Sequence, residues 1–249
     1  MTLTKKEKNN RMTQNIFLTF DDGPNEPHTS HILSILEKFG AKATFFVCGE
    51  NVKKYPETVK KIVSNGHAIG IHTYFHNMRT VLKGGEKLRK EVEQTSDLIF
   101  NLTGIRTHLY RSPKGITVPW IKPWLSQKGY HTYHWNIMAF DWRQPSAQFI
   151  AAHIIKRARN KTIVLLHDGD ELCAGDRTQT ITALPVILEN LSTRKFMCIP
   201  LTGEYYPQNI VRDYIIDLLQ GLCYFMFPHY FLKQFAGQKE YYLIVLKNN

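Results

Sequence analysis

The apolar runs of this sequence end on residues that can hold metals or move protons. The run 16–20 ends on Asp21 and Asp22, side by side before Gly23-Pro24. The stretch 67–72 ends on His72, and His76 follows within "HTYFH". "LYR" closes on Arg111, "WNIMAFDW" leads to Asp141 and Trp142, and "IVLLH" closes on His167. Adjacent carboxylates repel unless a cation offsets the repulsion. An H-x-x-x-H pair can present two imidazoles to one ion, and an acid from another strand completes the two-His-one-carboxylate set of open divalent-metal sites. Thr73 after His72 excludes the H-E-x-x-H metalloprotease pattern. Strand residues alternate sides, so Asp21 and Asp22 are expected to point opposite ways. Taken singly, each residue has a plain structural reading. Asp22 could serve the Gly23-Pro24 turn, Arg111 and Asp141 could form an ion pair, and Trp142 and Leu165 could be core. Their joint arrival at strand ends favours chemistry.

Elements must carry these residues to one place. "NIFLTF", "KATFFVCG", "HAIGIH", "THLYRSP", "HTYHWNI" and "KTIVLLH" read as strands. "HTSHILSILEKFG", "YPETVKKIVSNG", "GGEKLRKEVEQTSDLIFNLTG", "WIKPWLSQKG", "SAQFIAAHIIKRA" and "TQTITALPVILENLSTRK" read as the helices between them. Repeated alternation argues for an α/β fold with a parallel sheet covered by helices, and the number of repeats favours a (β/α) barrel. Such barrels place their chemistry at the C-terminal ends of the strands.

The totals narrow the function class. In 249 residues the composition is 43% hydrophobic and 21% charged, that of an ordinary globular chain. A formal charge of +11 raises the question of an anionic partner, but the lysines are scattered over helix faces, which argues against nucleic acid. Cys48, Cys173, Cys198 and Cys223 have no CxxC spacing, so reduced thiols are expected. The polar, basic N-terminus has no apolar run behind it and no stretch reaches the length of a membrane span, which points to a cytoplasmic protein. Residues 205–249 change character: a helical period from Ile210 to Leu222, then "YYLIVL" as a strand. Docking on the main domain is the expectation for this extension; Asp213 and Asp217 argue against a membrane role. Oligomeric state is left open.

"TFDDGP", "HTYFH", "RSPKG", "DW" and "LLH" resemble, in order, the motifs of the NodB-homology polysaccharide deacetylases, carbohydrate esterase family four. The resemblance covers roughly residues 15–200, which it marks as the catalytic domain, and implies the distorted (β/α) barrel of that family with about seven parallel strands. It implies Asp22, His72 and His76 as ligands of a divalent metal, usually zinc, with cobalt or nickel as alternatives. Asp21 would be the general base, paired with Arg111, and His167 the general acid, steadied by Asp141. Trp142 and Leu165 would wall the acetyl pocket, and the Lys114 N–H would help hold the oxyanion. The implied reaction is hydrolytic removal of an N-acetyl group from N-acetylglucosamine-type sugars such as chitooligosaccharides. Alternatives are a deformylase or deacylase of a nucleotide- or lipid-linked amino sugar, or a degenerate carbohydrate-binding protein. The chain departs from the family where Lys114 replaces the usual aromatic after Pro113, and where Met138 stands near an expected acid.

Overall fold

The computed structural model describes residues 14–170 and 175–203. Its strands are β1 (Gln14–Asp21), β2 (Ala43–Val47), β3 (Ala68–Ile71), β4 (Leu109–Tyr110), β5 (His131–Thr132), β6 (Ile137–Met138), β7 (Thr162–His167) and β8 (Phe196–Cys198). Helices α1 (His28–Lys38), α2 (Gly49–Lys54), α3 (Pro56–Ser64), α4 (Met78–Lys83), α5 (Glu86–Thr103), α6 (Lys122–Gln127), α7 (Ala147–Arg157) and α8 (Thr178–Thr193) connect them. All strand pairs are parallel, in the order β5-β4-β3-β2-β1-β7-β6, with β8 against the start of β1.

The parallel barrel read from the sequence is therefore present, with one correction. "HTYHWNI" was expected as a single strand, yet it divides into β5 and β6 at opposite edges of the sheet. Five peptide steps from Thr132 to Ile137 reach at most about 17 Å. A flat sheet of seven strands would hold its edges about 29 Å apart. The sheet must curl until its edges nearly meet, and residues 133–136 cross the remaining gap. Tyr133 and Trp135 of this crossing fill the interior with Phe17, Phe46, Leu109, Ile163 and Leu165.

Alternation along β1 sorts its residues between two cores. Ile16, Leu18 and Phe20 pack outward under the helices, beside Ile32 and Leu36 of α1 and Leu184 and Ile187 of α8. Phe17 joins the inner core, and Thr19 and Asp21 continue on that inner side, where both meet Arg111. Burial on both faces accounts for the nearly continuous apolar runs of β2 and β7.

Two short helices, α2 and α4, were not expected from the sequence. Asn77 starts α4 by accepting the backbone N–H groups of Arg79 and Thr80 at 3.0 and 3.2 Å. Gly84 ends it at φ 57°, with its missing Cβ space taken by the Trp120 ring. Cys48 and Cys198 are free thiols, whereas Cys173 and Cys223 lie outside the described residues. So does the expectation of a helix and strand in 205–249. Among the described residues no helix is long and apolar enough to cross a membrane.

Candidate active site

Every predicted polar site residue except Lys114 is buried or nearly so at the C-terminal ends of the strands. β1 delivers Asp21, and Asp22 follows it with a left-handed backbone, φ 74°. That turn cancels the alternation expected between the two acids. Both face His72: Oδ2 of Asp21 lies 3.8 Å from its Nε2, and Oδ1 of Asp22 lies 3.2 Å from the same atom. His76 brings its Nε2 to 3.4 Å from that Asp22 oxygen.

Asp22, His72 and His76 thus offer ligand atoms within 4.8 Å of one another, all buried. Nδ1 of His72 is 2.8 Å from the Arg111 carbonyl, which can only accept, so Nδ1 carries a proton and Nε2 is the ring nitrogen turned to Asp22. Oδ1 of Asp22 has no aligned hydrogen bond despite its burial. An unsatisfied carboxylate oxygen facing imidazole nitrogens is a costly arrangement without an ion and a suitable one with it. These residues fit a divalent metal. Burial alone would raise the Asp22 carboxyl, but His72 and the charges of His76 and His167 hold it well below the usual range. Burial would lower His72, and the two aspartates raise it instead.

The loop between the two histidines is strained and then tied down. Thr73 and His76 have φ of 64° and 54°, conformations costing on the order of 1–2 kcal/mol each. The backbone N–H of Gly49 at the start of α2 donates to the Thr73 carbonyl at 3.1 Å, and that of Glu50 donates to Tyr74 O at 3.1 Å. A Cβ on Gly49 would sit 2.3 Å from the Tyr74 ring, so only glycine permits this approach.

Arg111, fully buried, organises the other flank. Its Nη1 donates to Asp21 Oδ1 at 2.7 Å and to Thr19 Oγ1 at 2.7 Å. Nε reaches Tyr133 O at 3.2 Å and Nη2 reaches His134 O at 3.1 Å, while the Phe46 ring lies 4.1 Å from the guanidinium carbon. The Thr19 hydroxyl in turn donates to Val164 O at 2.7 Å. A buried ion pair of this kind is tolerated when its other polar atoms find partners, and here each guanidinium nitrogen has at least one.

His167 closes β7. Its Nδ1 donates to Asp141 Oδ1 and its backbone N–H to Asp141 Oδ2, both at 2.8 Å, and Thr180 adds a bond to Oδ2 at 3.0 Å. Burial would depress His167, but Asp141, helped by Asp22 and Asp21, pushes it up to about 9. The imidazolium therefore persists through neutral pH. Leu165 lies two residues before it in the inner core, 3% exposed, and Trp142 is 42% exposed with the Arg143 guanidinium 4.4 Å from its ring centre. Lys114 is exposed, at φ 53° within the turn Pro113–Gly115.

Some residues of this region escaped sequence reasoning. Asp168 is buried, accepts from Thr29 Oγ1 at 2.7 Å, and packs so closely that a Cβ on Gly23 would fall 2.1 Å from its Oδ2. Burial pushes its carboxyl up to about 7; the Thr29 hydrogen bond opposes this and the nearby Asp22 adds to it. Its place directly after His167 was the available signal. Asn51 fixes the Asp22 carbonyl at 2.7 Å, and Thr19, Glu91 and Thr180 act from positions within strand and helix that look ordinary in sequence.

A curled parallel barrel with a metal-competent trio between two separately anchored titratable groups is an arrangement suited to metal-assisted hydrolysis. Comparison with known proteins narrows the class. The family model described as polysaccharide deacetylase matches residues 8–133. A peptidoglycan-N-acetylglucosamine deacetylase of Bacillus cereus is 32% identical over 209 residues, covering 79% of this chain and 73% of that protein. A chitooligosaccharide deacetylase of Rhizobium leguminosarum bv. trifolii is 35% identical over 193 residues, covering 74% and 88%. Among solved structures, a polysaccharide deacetylase from Bacillus cereus superposes with a TM-score of 0.71 at 29% identity, covering 80% of this chain and 98% of that one. The chain belongs to the polysaccharide deacetylase family.

Proposed function

We propose that this protein removes the acetyl group from N-acetylglucosamine units of an oligosaccharide or polysaccharide by metal-dependent hydrolysis. The observation that carries the reading is the convergence of Asp22, His72 and His76 beside a base candidate and an acid candidate held by different partners. The names of the relatives support the sugar amide as substrate class. Residues 15–200 would form the catalytic domain.

Asp22, His72 and His76 would hold the ion, with Zn2+ as the favoured metal and Co2+ or Ni2+ as substitutes. When bound, such an ion activates water near neutral pH and polarises the amide carbonyl. Asp21 takes the proton of the attacking water, and the Arg111 ion pair keeps its carboxylate aimed. The tetrahedral species carries a negative oxygen, to which the Lys114 N–H would donate. An amine leaves poorly without a proton, and His167 supplies it from Nε2, because its Nδ1 is committed to Asp141. Trp142 and Leu165 would bound the acetyl methyl group.

Metal-stripped and zinc-reloaded protein, assayed against N-acetylchitooligosaccharides, peptidoglycan fragments and nucleotide-linked N-acyl sugars, tests this. Acetate should appear only after reloading, and foremost from the oligomeric substrates. Equal release after stripping would sink the metal role. Release confined to nucleotide-linked sugars, or formate in place of acetate, would replace the substrate class.

A further inference from the structure

The metal reading rests on two histidines whose loop must hold its shape against its own backbone preferences, and α5 supplies the means. Glu91 is 3% exposed in the middle of that helix, where an acid would ordinarily face water. Its Oε2 accepts the backbone N–H groups of Tyr74 and Phe75 at 3.3 and 3.4 Å, a fork on the middle two of the four peptides between His72 and His76. One turn further on, Thr95 Oγ1 lies 3.1 Å from the Thr73 carbonyl and 2.8 Å from that of Glu91. Together with the α2 contacts and the bond from His76 N to Thr73 Oγ1 at 3.1 Å, these partners take up the N–H groups of Tyr74, Phe75 and His76 and the carbonyls of Thr73 and Tyr74. Oε1 of Glu91 is buried and has no aligned hydrogen bond among the described residues. A buried carboxyl left half-satisfied is expensive, and a residue retained at such cost is expected to contribute elsewhere.

We propose that Glu91 is a positioning residue that sets metal affinity by fixing the spacing of His72 and His76. It touches neither substrate nor the imidazoles. It acts through two amide groups whose displacement would swing both rings away from Asp22. Partners of metal ligands that lie one contact out commonly tune affinity ~10–100-fold when removed.

This inference depends on Asp22, His72 and His76 being the metal site, and the test separates the two. Zinc and cobalt are titrated calorimetrically into wild-type protein and into Glu91→Ala and Glu91→Gln, with the visible spectrum of the cobalt form as a second readout. Wild-type protein that binds neither metal would refute the metal site itself. If wild type binds, Glu91→Ala should lose ~10–100-fold in affinity and show an altered cobalt spectrum. Glu91→Gln keeps an oxygen for the two N–H groups and should recover a large part of the loss. Hydrogen exchange at Tyr74 and Phe75 should quicken in Glu91→Ala and stay slow in Glu91→Gln. Wild-type affinity and spectrum in Glu91→Ala would overturn the proposal. Should that variant fail to fold, Thr95→Val decides in its place: weaker metal binding supports the clamp, and unchanged binding overturns it.

Discussion

The two flanks of the site are built on opposite plans. Around Arg111 every guanidinium nitrogen has a protein partner, and the group is sealed between the Phe46 ring and backbone carbonyls. Around Asp22 a buried oxygen faces two imidazole nitrogens with no aligned hydrogen bond. The difference separates a closed scaffold from a set of donors whose chemistry suits a cation. Full satisfaction suits a group that must hold its position, and a buried carboxylate facing imidazoles suits a ligand set.

The contrast can be broken from either side. Asp22→Ala should abolish tight zinc binding and lower deacetylation on the order of a thousandfold or more, with folding largely kept; calorimetric titration and acetate release would show it. A variant retaining wild-type metal affinity would contradict the assignment of Asp22 as a ligand. Arg111→Met should instead act on the fold. It strands Asp21 in the interior, and breaking a buried pair costs about 3–5 kcal/mol, readable in urea denaturation. A loss below about 1 kcal/mol would mean the flank is less sealed than its contacts indicate.

Asp141→Asn should lower kcat about a hundredfold and move the alkaline limb of the pH–rate profile. His167 stands at about 9 with Asp141 beside it, against about 6.5 for a free imidazole. The acid form is therefore depleted only as pH climbs through about 9, and the variant should lose it nearer 6.5. The same sign governs stability: the contribution of His167 is complete below about 6.5 and disappears as pH rises through about 9. An unchanged alkaline limb in the variant would detach Asp141 from the acid. The smallest effect is expected of Thr19→Val, which removes the hydroxyl between Arg111 and Val164 and should cost about 1–2 kcal/mol; a chemical denaturation series with Thr19→Ser as the restoring control would check it.

The sequence made the flanks unequally legible as well. Asp21, Asp22, His72, His76, Arg111, Asp141 and His167 stood out because their types interrupt apolar runs, and the structure brings them to one end of the sheet. What orders them did not stand out. Glu91 falls on the face that Leu88, Val92 and Ile99 turn inward, but its charge makes it read as solvent-facing. Thr19 reads as one more β-branched strand residue. The opposite facing of Asp21 and Asp22 failed because alternation holds only while the backbone stays extended, and it ends at Asp22. The division of 131–137 was hidden for a different reason. Aromatic and polar residues there suit a strand locally, but closure of the sheet sends its two ends to different edges.

Asp22 and His76 are both held in left-handed backbone, where Asn, Asp and His are the side-chain-bearing residues most at ease. The loop shapes therefore already favour residues that can bind a cation. They also leave a quiet route to inactivity under the proposed mechanism: a drift from aspartate to asparagine at position 22 would preserve the turn while removing the negative charge. A lineage taking that step would inherit an intact, well-packed shell, still soundly folded and free to be recruited for recognition without turnover.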